Sequence, residues 1–178
     1  MGEGGLKWGV LGQRVFEAPA VSKSEMEPAE TSGRLCFNGE FRHGVDDKRR
    51  LAVPARWRPK AGVELTLVLW PKDKSGPCLR LLLPQKMADM MRDIDAMPNE
   101  NPGKVALKRF IGRQSSQVTL DSAGRICLPD EMAKAAGIKD QAVLVGLLDR
   151  IEIWSPERFQ NVTAADEIIA QDAFKLME

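Results

Sequence analysis

From residue 33 onward, apolar and polar positions alternate in short runs, the period-two pattern of strands half-buried in a sheet. The clearest stretch is Gln117-Val118-Thr119-Leu120, then Asp121-Ser122-Ala123-Gly124, then Arg125-Ile126-Cys127-Leu128. Alternation, turn chemistry and alternation again predict a hairpin. Pro129-Asp130 opens a short helix, and Gly137 stands where a helix C-terminus is capped. Runs over 142–147 and 151–154 predict a second hairpin around Leu148-Asp149-Arg150, and Ser155 caps a helix with Pro156 at its first position. Met87, Met90, Met91, Ile94 and Met97 recur at helical spacing until Pro98, as core or subunit contact. A further helix is predicted over 104–111, presenting Leu107, Phe110 and Ile111. Residues 1–35 scatter Gly, Pro, Ser and Glu without period and read as a disordered extension, with a short strand around 6–10 its one candidate element.

The pattern repeats. Val45-Asp46-Asp47-Lys48-Arg49-Arg50-Leu51-Ala52-Val53-Pro54 returns as Leu120-Asp121-Ser122-Ala123-Gly124-Arg125-Ile126-Cys127-Leu128-Pro129, and Ala61-Gly62 returns as Ala136-Gly137. Downstream, 65–70 parallels 142–147, and 79–83 followed by Pro84 parallels 151–154 followed by Ser155-Pro156. Each copy reads as strand, turn, strand, short helix, strand, turn, strand, helix. One copy of ~45–50 residues could hardly bury a core alone, so the two should interlock. The organisation expected is an extension over 1–35, a first repeat over 36–84, connecting helices over 85–114, a second repeat over 115–159 and an acidic helix over 160–178.

Composition narrows the class. The longest apolar stretch, 63–70, is cut by Glu64 and Thr66 and is far short of the ~18–20 residues that span a bilayer. No secretory signal is visible. Cys36, Cys78 and Cys127 are scattered and odd in number, and His43 is the only histidine, so neither a disulfide framework nor a structural zinc site is expected. A reduced, cytoplasmic, metal-free protein is the simplest reading. The net charge of +1 would argue against a nucleic-acid binder, but the charge is segregated. Seven cations (Arg42, Lys48, Arg49, Arg50, Arg56, Arg58, Lys60) lie between Phe41 and Lys60 against Asp46 and Asp47. Five more (Lys104, Lys108, Arg109, Arg113, Arg125) face Asp121 alone, while the closing stretch is acidic. Segregated charge on a neutral whole suits one anion-facing surface. Catalytic motifs are missing: there is no G-x-S-x-G, no P-loop and no Cys/His pairing, and an enzyme is not expected.

The run from Leu120 to Pro129 resembles the D-x-x-G-R-[IVL]-x-[IVL]-P signature of the AbrB-like swapped-hairpin DNA-binding fold. Two copies resemble the MraZ family, regulators of the bacterial division and cell-wall gene cluster. Phe37-Asn38-Gly39, Met97-Pro98-Asn99 and the segment from Val143 to Arg158 resemble the same family, so the likeness covers about 37–159. It implies an α+β fold, a β-rich double swapped-hairpin (AbrB-like) barrel from two tandem repeats with flanking helices. It also implies double-stranded DNA at promoter repeats as partner, a closed homo-oligomeric ring, a nucleoid-associated location, and no cofactor, small-molecule ligand or membrane. The sequence departs from the family in the extra residues 1–35 and in Arg49, which stands where the signature has glycine. Either the first turn differs in shape, or backbone strain of ~1 kcal/mol or more is accepted for an extra cation.

Each candidate residue has an ordinary reading beside the functional one. Arg50 and Arg125 each follow an aspartate by four residues across a turn, so Asp46 and Asp121, with Gly124, could simply brace the hairpins. Alternatively the guanidinium groups sit at cationic hairpin tips and reach phosphate or the guanine edge, the aspartates aiming them. Lys48, Arg49, Arg56 and Arg58 are by default a solvated face, and their crowding beside Arg50 suggests phosphate contact. Arg113 is a further DNA-binding candidate. His43 reads as a surface or turn residue, and Trp57, Trp70 and Trp154 read as core. The rival function is a structural or protein-interaction ring. Cations at equivalent hairpin positions favour DNA, and cations spread over helix faces favour the rival.

Overall fold

Pairing between the two repeats organises the chain, with one hairpin kept inside each repeat. The computed structural model describes residues 35–71 and 75–177. The first repeat supplies β1 (Glu40–Gly44), β2 (Arg50–Ala52), a 3-10 turn (Ala55–Trp57), β3 (Leu65–Trp70) and β4 (Cys78–Leu82). Helices α1 (Pro84–Asp95) and α2 (Pro102–Arg113) follow. The second repeat supplies β5 (Ser115–Val118), β6 (Arg125–Cys127), α3 (Asp130–Ala135), β7 (Gln141–Gly146), β8 (Ile151–Trp154) and α4 (Pro156–Phe174). The described residues form one compact unit; the strand expected around 6–10, and the extension up to residue 34, lie outside them.

Strands are exchanged symmetrically. β1 pairs with β7 and its counterpart β5 pairs with β3, all antiparallel. β2 leaves its own repeat to pair with β6 in a two-stranded ribbon, and β4 meets its counterpart β8 at the centre of a six-stranded sheet ordered β1-β7-β8-β4-β3-β5. The interlock expected from the repeats is present. In that order β1 and β5 are edges, so the sheet is not a closed ring of hydrogen bonds.

The core lies under the ribbon and across the seam. Leu51 and Ile126 oppose each other in the ribbon, are fully buried, and pack with Leu67, Leu79, Leu144 and Ile153. Trp57 and Trp154 are buried as expected, whereas Trp70 is half-buried beneath a guanidinium. α1 buries Ile94 and leaves its methionines half-exposed. α2 starts two residues earlier than the apolar spacing suggests, because the Asn101 side chain accepts from the Gly103 N–H at 2.8 Å and Pro102 suits the first turn. The first repeat has a 3-10 turn where the second has α3: Pro59 holds Arg58 extended (φ −77°, ψ 125°) and stops the helix. α4 runs unbroken from Ser155, whose hydroxyl accepts from the Arg158 N–H, to Phe174.

Candidate nucleic-acid interface

The two signature turns share one geometry. The Arg49 N–H donates to the Asp46 carbonyl and the Gly124 N–H to the Asp121 carbonyl, each at 2.8 Å. Asp46 Oδ1 accepts from the N–H groups of Lys48 (3.0 Å) and Arg50 (2.9 Å), and Asp121 Oδ1 accepts from those of Ala123 and Arg125 (both 2.9 Å). The other carboxylate oxygen takes the arginine: Arg50 Nε donates to Asp46 Oδ2 at 2.7 Å, and Arg125 Nε to Asp121 Oδ2 at 2.9 Å. An aspartate side chain that closes its own turn and holds the next strand's first side chain explains the four-residue spacing.

The backbone N–H of Arg50 is the main cause that holds the Asp46 carboxyl below the usual range, with the Arg50 side chain adding to it. For Asp121 the order is the same, the Arg125 backbone N–H first and its side chain second. Both aspartates therefore stay ionised and keep their arginines oriented.

The arginines stand one residue past the turn apices, on the strands. In the ribbon, Arg50 faces Cys127, Leu51 faces Ile126 and Ala52 faces Arg125. Leu51 and Ile126 point into the core, so strand alternation puts Arg50, Ala52, Arg125 and Cys127 on the outer face. Two guanidinium groups from different repeats thus share one ribbon face, diagonal to each other. Arg125 Nη1 comes within 3.8 Å of Asp46 Oδ2, linking the two turns. The sequence reading sets both arginines at hairpin tips, and the structure sets them on the ribbon strands. That reading missed Ala52 and Cys127 beside them, because only the β2–β6 exchange makes them neighbours.

The remaining candidates scatter in role. Lys48 is exposed on the first turn and makes no ion pair among the described residues. Arg49 adopts φ 59°, matching φ 74° at Gly124, so the first turn keeps its shape and accepts the strain. Its guanidinium is occupied, donating to Asp130 Oδ1 (3.1 Å) and to the Lys139 carbonyl (3.3 Å). Arg56 donates to the Asn38 carbonyl (2.7 Å) and lies over the Phe41 ring. Arg58 donates to the Val53 carbonyl (2.8 Å), and its guanidinium covers Gly124 so closely that a Cβ there would overlap it. Arg113 is exposed at the end of α2, on the far end of β5 from the Asp121 turn. His43 lies in β1, is half-buried and stacks on Phe41. Among the described residues no cluster of His, Cys, Asp and Glu could hold a metal ion, and no helix is long and apolar enough to cross a membrane.

Comparison with known proteins matches the sequence to one family. The family model described as "MraZ protein, putative antitoxin-like" matches residues 112–176. "Transcriptional regulator MraZ" from Roseiflexus sp. is 36% identical over 131 residues, 72% of this chain and 87% of the relative. The same-named protein of Herpetosiphon aurantiacus is 40% identical over 134 residues, 74% and 90% of the two chains. That of Thermomicrobium roseum is 32% identical over 144 residues, 76% and 91%. With relatives this similar over most of both chains, the protein belongs to the MraZ family.

Proposed function

We propose that this protein is a sequence-specific DNA-binding regulator of transcription, acting on the division and cell-wall gene cluster through repeated sites near its own promoter. The observation that carries the reading is the outer face of the β2–β6 ribbon, where Arg50 and Arg125 stand at equivalent positions of the two repeats. A DNA major groove admits a two-stranded antiparallel ribbon, and an arginine can read guanine through two donors at once. Asp46 holds Arg50 by Nε and leaves both Nη groups without a partner among the described residues. Asp46 thereby aims Arg50 instead of consuming it, whereas Asp121 holds Arg125 more firmly, through both Nε and Nη2. The relatives' name, transcriptional regulator, supports the same reading.

Lys48 supplies phosphate contact at the turn, while Arg49, Arg56 and Arg58, held by protein acceptors, shape the ribbon's flanks. Arg113 stands apart and is assigned to phosphate beyond the ribbon. The sheet and ribbon together are read as the AbrB-like swapped-hairpin barrel, in the five segments that the sequence divides. One ribbon per chain gives few contacts, so a closed homo-oligomeric ring presenting several ribbons to promoter repeats supplies the avidity. The protein acts in the cytoplasm at the nucleoid, and the reading calls for no cofactor, metal, small-molecule ligand or membrane.

The test is a gel shift on the protein's own upstream region at ~50 and ~200 mM salt. Several phosphate contacts per assembly predict a fall in affinity by orders of magnitude. Binding that ignores salt would remove the phosphate-contact mechanism and leave the protein-interaction ring as the better reading.

A further inference from the structure

At the β4–β8 seam the repeat makes one position face its own counterpart. Leu79 pairs with Ile153, Arg80 with Glu152 and Leu81 with Ile151. Arg80 and Glu152 are 72 positions apart, as are Pro84 and Pro156, which open the helix after each strand. They are therefore equivalent residues that meet on the pseudo-twofold axis of the fold. The pair is buried, with side-chain exposures of 10% and 5%. Arg80 Nε and Nη2 both lie 2.9 Å from Glu152 Oε1. Trp154 Nε1 donates to the other carboxylate oxygen at 3.0 Å, and the Arg80 guanidinium lies 3.9 Å from the centre of the Trp70 ring.

The aliphatic positions flanking the pair cannot tell one repeat from the other. Leu79, Leu81, Ile151 and Ile153 are aliphatic on both sides of the seam, as are Leu51 and Ile126 in the ribbon. If two first repeats from different chains interlocked in this way, Arg80 would meet Arg80. Two second repeats would set Glu152 against Glu152. Like charges buried at hydrogen-bonding distance cost far more than a matched aliphatic seam returns. We infer that Arg80–Glu152 is the partner-selecting contact of this fold. It admits only a complementary repeat, from the same chain or from a second copy of the chain, and rejects like-with-like interlocking. A buried ion pair adds little net stability over a well-packed apolar one, but choosing among near-identical partners is a use it serves well.

Full-length R80E and E152R test this directly. Each buries two like charges when its own repeats pair, and each should lose about a hundredfold or more in its folding equilibrium. Unfolded together in equal amounts and refolded, the two variants offer each other a complementary repeat. Arg80 of the E152R chain meets Glu152 of the R80E chain with Trp70 and Trp154 in their native places, and the reciprocal seam is also charge-matched. The expected result is a cooperative melt above that of either variant, in a species holding both chains in equal number. If neither variant folds alone, recovery in the mixture supports the inference as fully. A mixture that melts as two separate variants or fails to recover, or single variants that melt like the wild type, would overturn it.

Discussion

The turn closed by Asp46 and the turn closed by Asp121 have the same backbone and are filled from opposite directions. In the first, Arg49 sits in the left-handed region and sends its own guanidinium to Asp130 and the Lys139 carbonyl. In the second, Gly124 is bare, and Arg58 from the other repeat lies over it. The counterpart of Arg58 is Ala133, fully buried in α3, which has no guanidinium to lay over the first turn. An arginine lies against each turn, but in one case it grows from the turn and in the other it arrives from across the interlock. Shape and occupied space are what the two halves share; the residue that supplies them is free to change. Glycine in the signature is thus one of two solutions, and the other accepts ~1 kcal/mol of backbone strain.

The largest effect should come from forcing the first solution onto the second turn. Gly124→Arg puts a side chain at positive φ and drives its Cβ into the Arg58 guanidinium. Strain of ~1 kcal/mol and overpacking of ~1–3 kcal/mol together predict a loss of ~2–4 kcal/mol in denaturant unfolding. Adding Arg58→Ala removes the overlap and should recover ~1 kcal/mol or more, although the bond to the Val53 carbonyl goes too. If the double variant is no better than Gly124→Arg alone, the two turns are not filled as described.

Next in size is the split between the two ribbon arginines. Arg50→Ala and Arg125→Ala should each reduce discrimination between operator and random DNA by ~1–3 kcal/mol per contact, with the fold intact. The halves should differ. Arg125 gives Nε and Nη2 to Asp121 and approaches Asp46 as well, whereas Arg50 is held by Nε alone. Arg50→Ala should therefore cost more in discrimination and Arg125→Ala more in thermal stability. Full operator preference in both variants would leave the arginines as turn braces.

Much of this was legible because a repeat doubles every signal. Two copies of aspartate, arginine and proline at one spacing located both turns, and the shortness of each copy required them to interlock. Which strands trade places was not legible, since Leu51 and Ile126 would suit pairing within a repeat as well as between repeats. For that reason Ala52 and Cys127 went unnoticed beside the arginines. Arg80 and Glu152 carry no signal of their own in the sequence. Their meeting follows only when the 72-residue offset of the second hairpin is combined with an antiparallel β4–β8 seam. Arg49 was legible as a departure, but whether its turn would bend or strain depended on Asp130, 81 residues away.

A smaller effect checks the other direction of the comparison. Arg49→Gly relieves the left-handed strain and gives up a partly exposed ion pair with Asp130 worth ~0–1 kcal/mol, so stability should stay within ~1 kcal/mol of the wild type. A loss well above that in equilibrium unfolding would mean that Arg49 organises α3, and the two solutions would not be interchangeable.

The smallest and most symmetric effect is the response to acid. Asp46 and Asp121 are each held below the usual carboxylate range, first by the backbone N–H of Arg50 or Arg125 and then by the same arginine's side chain. A carboxylate with a depressed folded pKa contributes stability above its unfolded value, near ~3.9, and loses it as pH falls through the folded value. Thermal stability should therefore be flat at neutral pH and decline from about pH 5 downward. Asp149, in the β7–β8 turn, follows lower still: burial would raise it, but Arg150 and Lys86 bring it to about 2. Asp46→Asn and Asp121→Asn should each flatten the upper part of the acid limb, and by comparable amounts, since both carboxylates accept two backbone N–H groups and one Nε, with Arg125 Nη2 a further contact at Asp121. Asp149→Asn should flatten the limb from its upper end down to about pH 2, because the unfolded carboxyl protonates near ~3.9 and the folded one only at about 2. Melting curves for the three variants across this range decide the matter. A flattened limb in Asp46→Asn beside an unchanged one in Asp121→Asn would show that only the first turn is held by its aspartate, and the equivalence on which the paired ribbon arginines rest would fail.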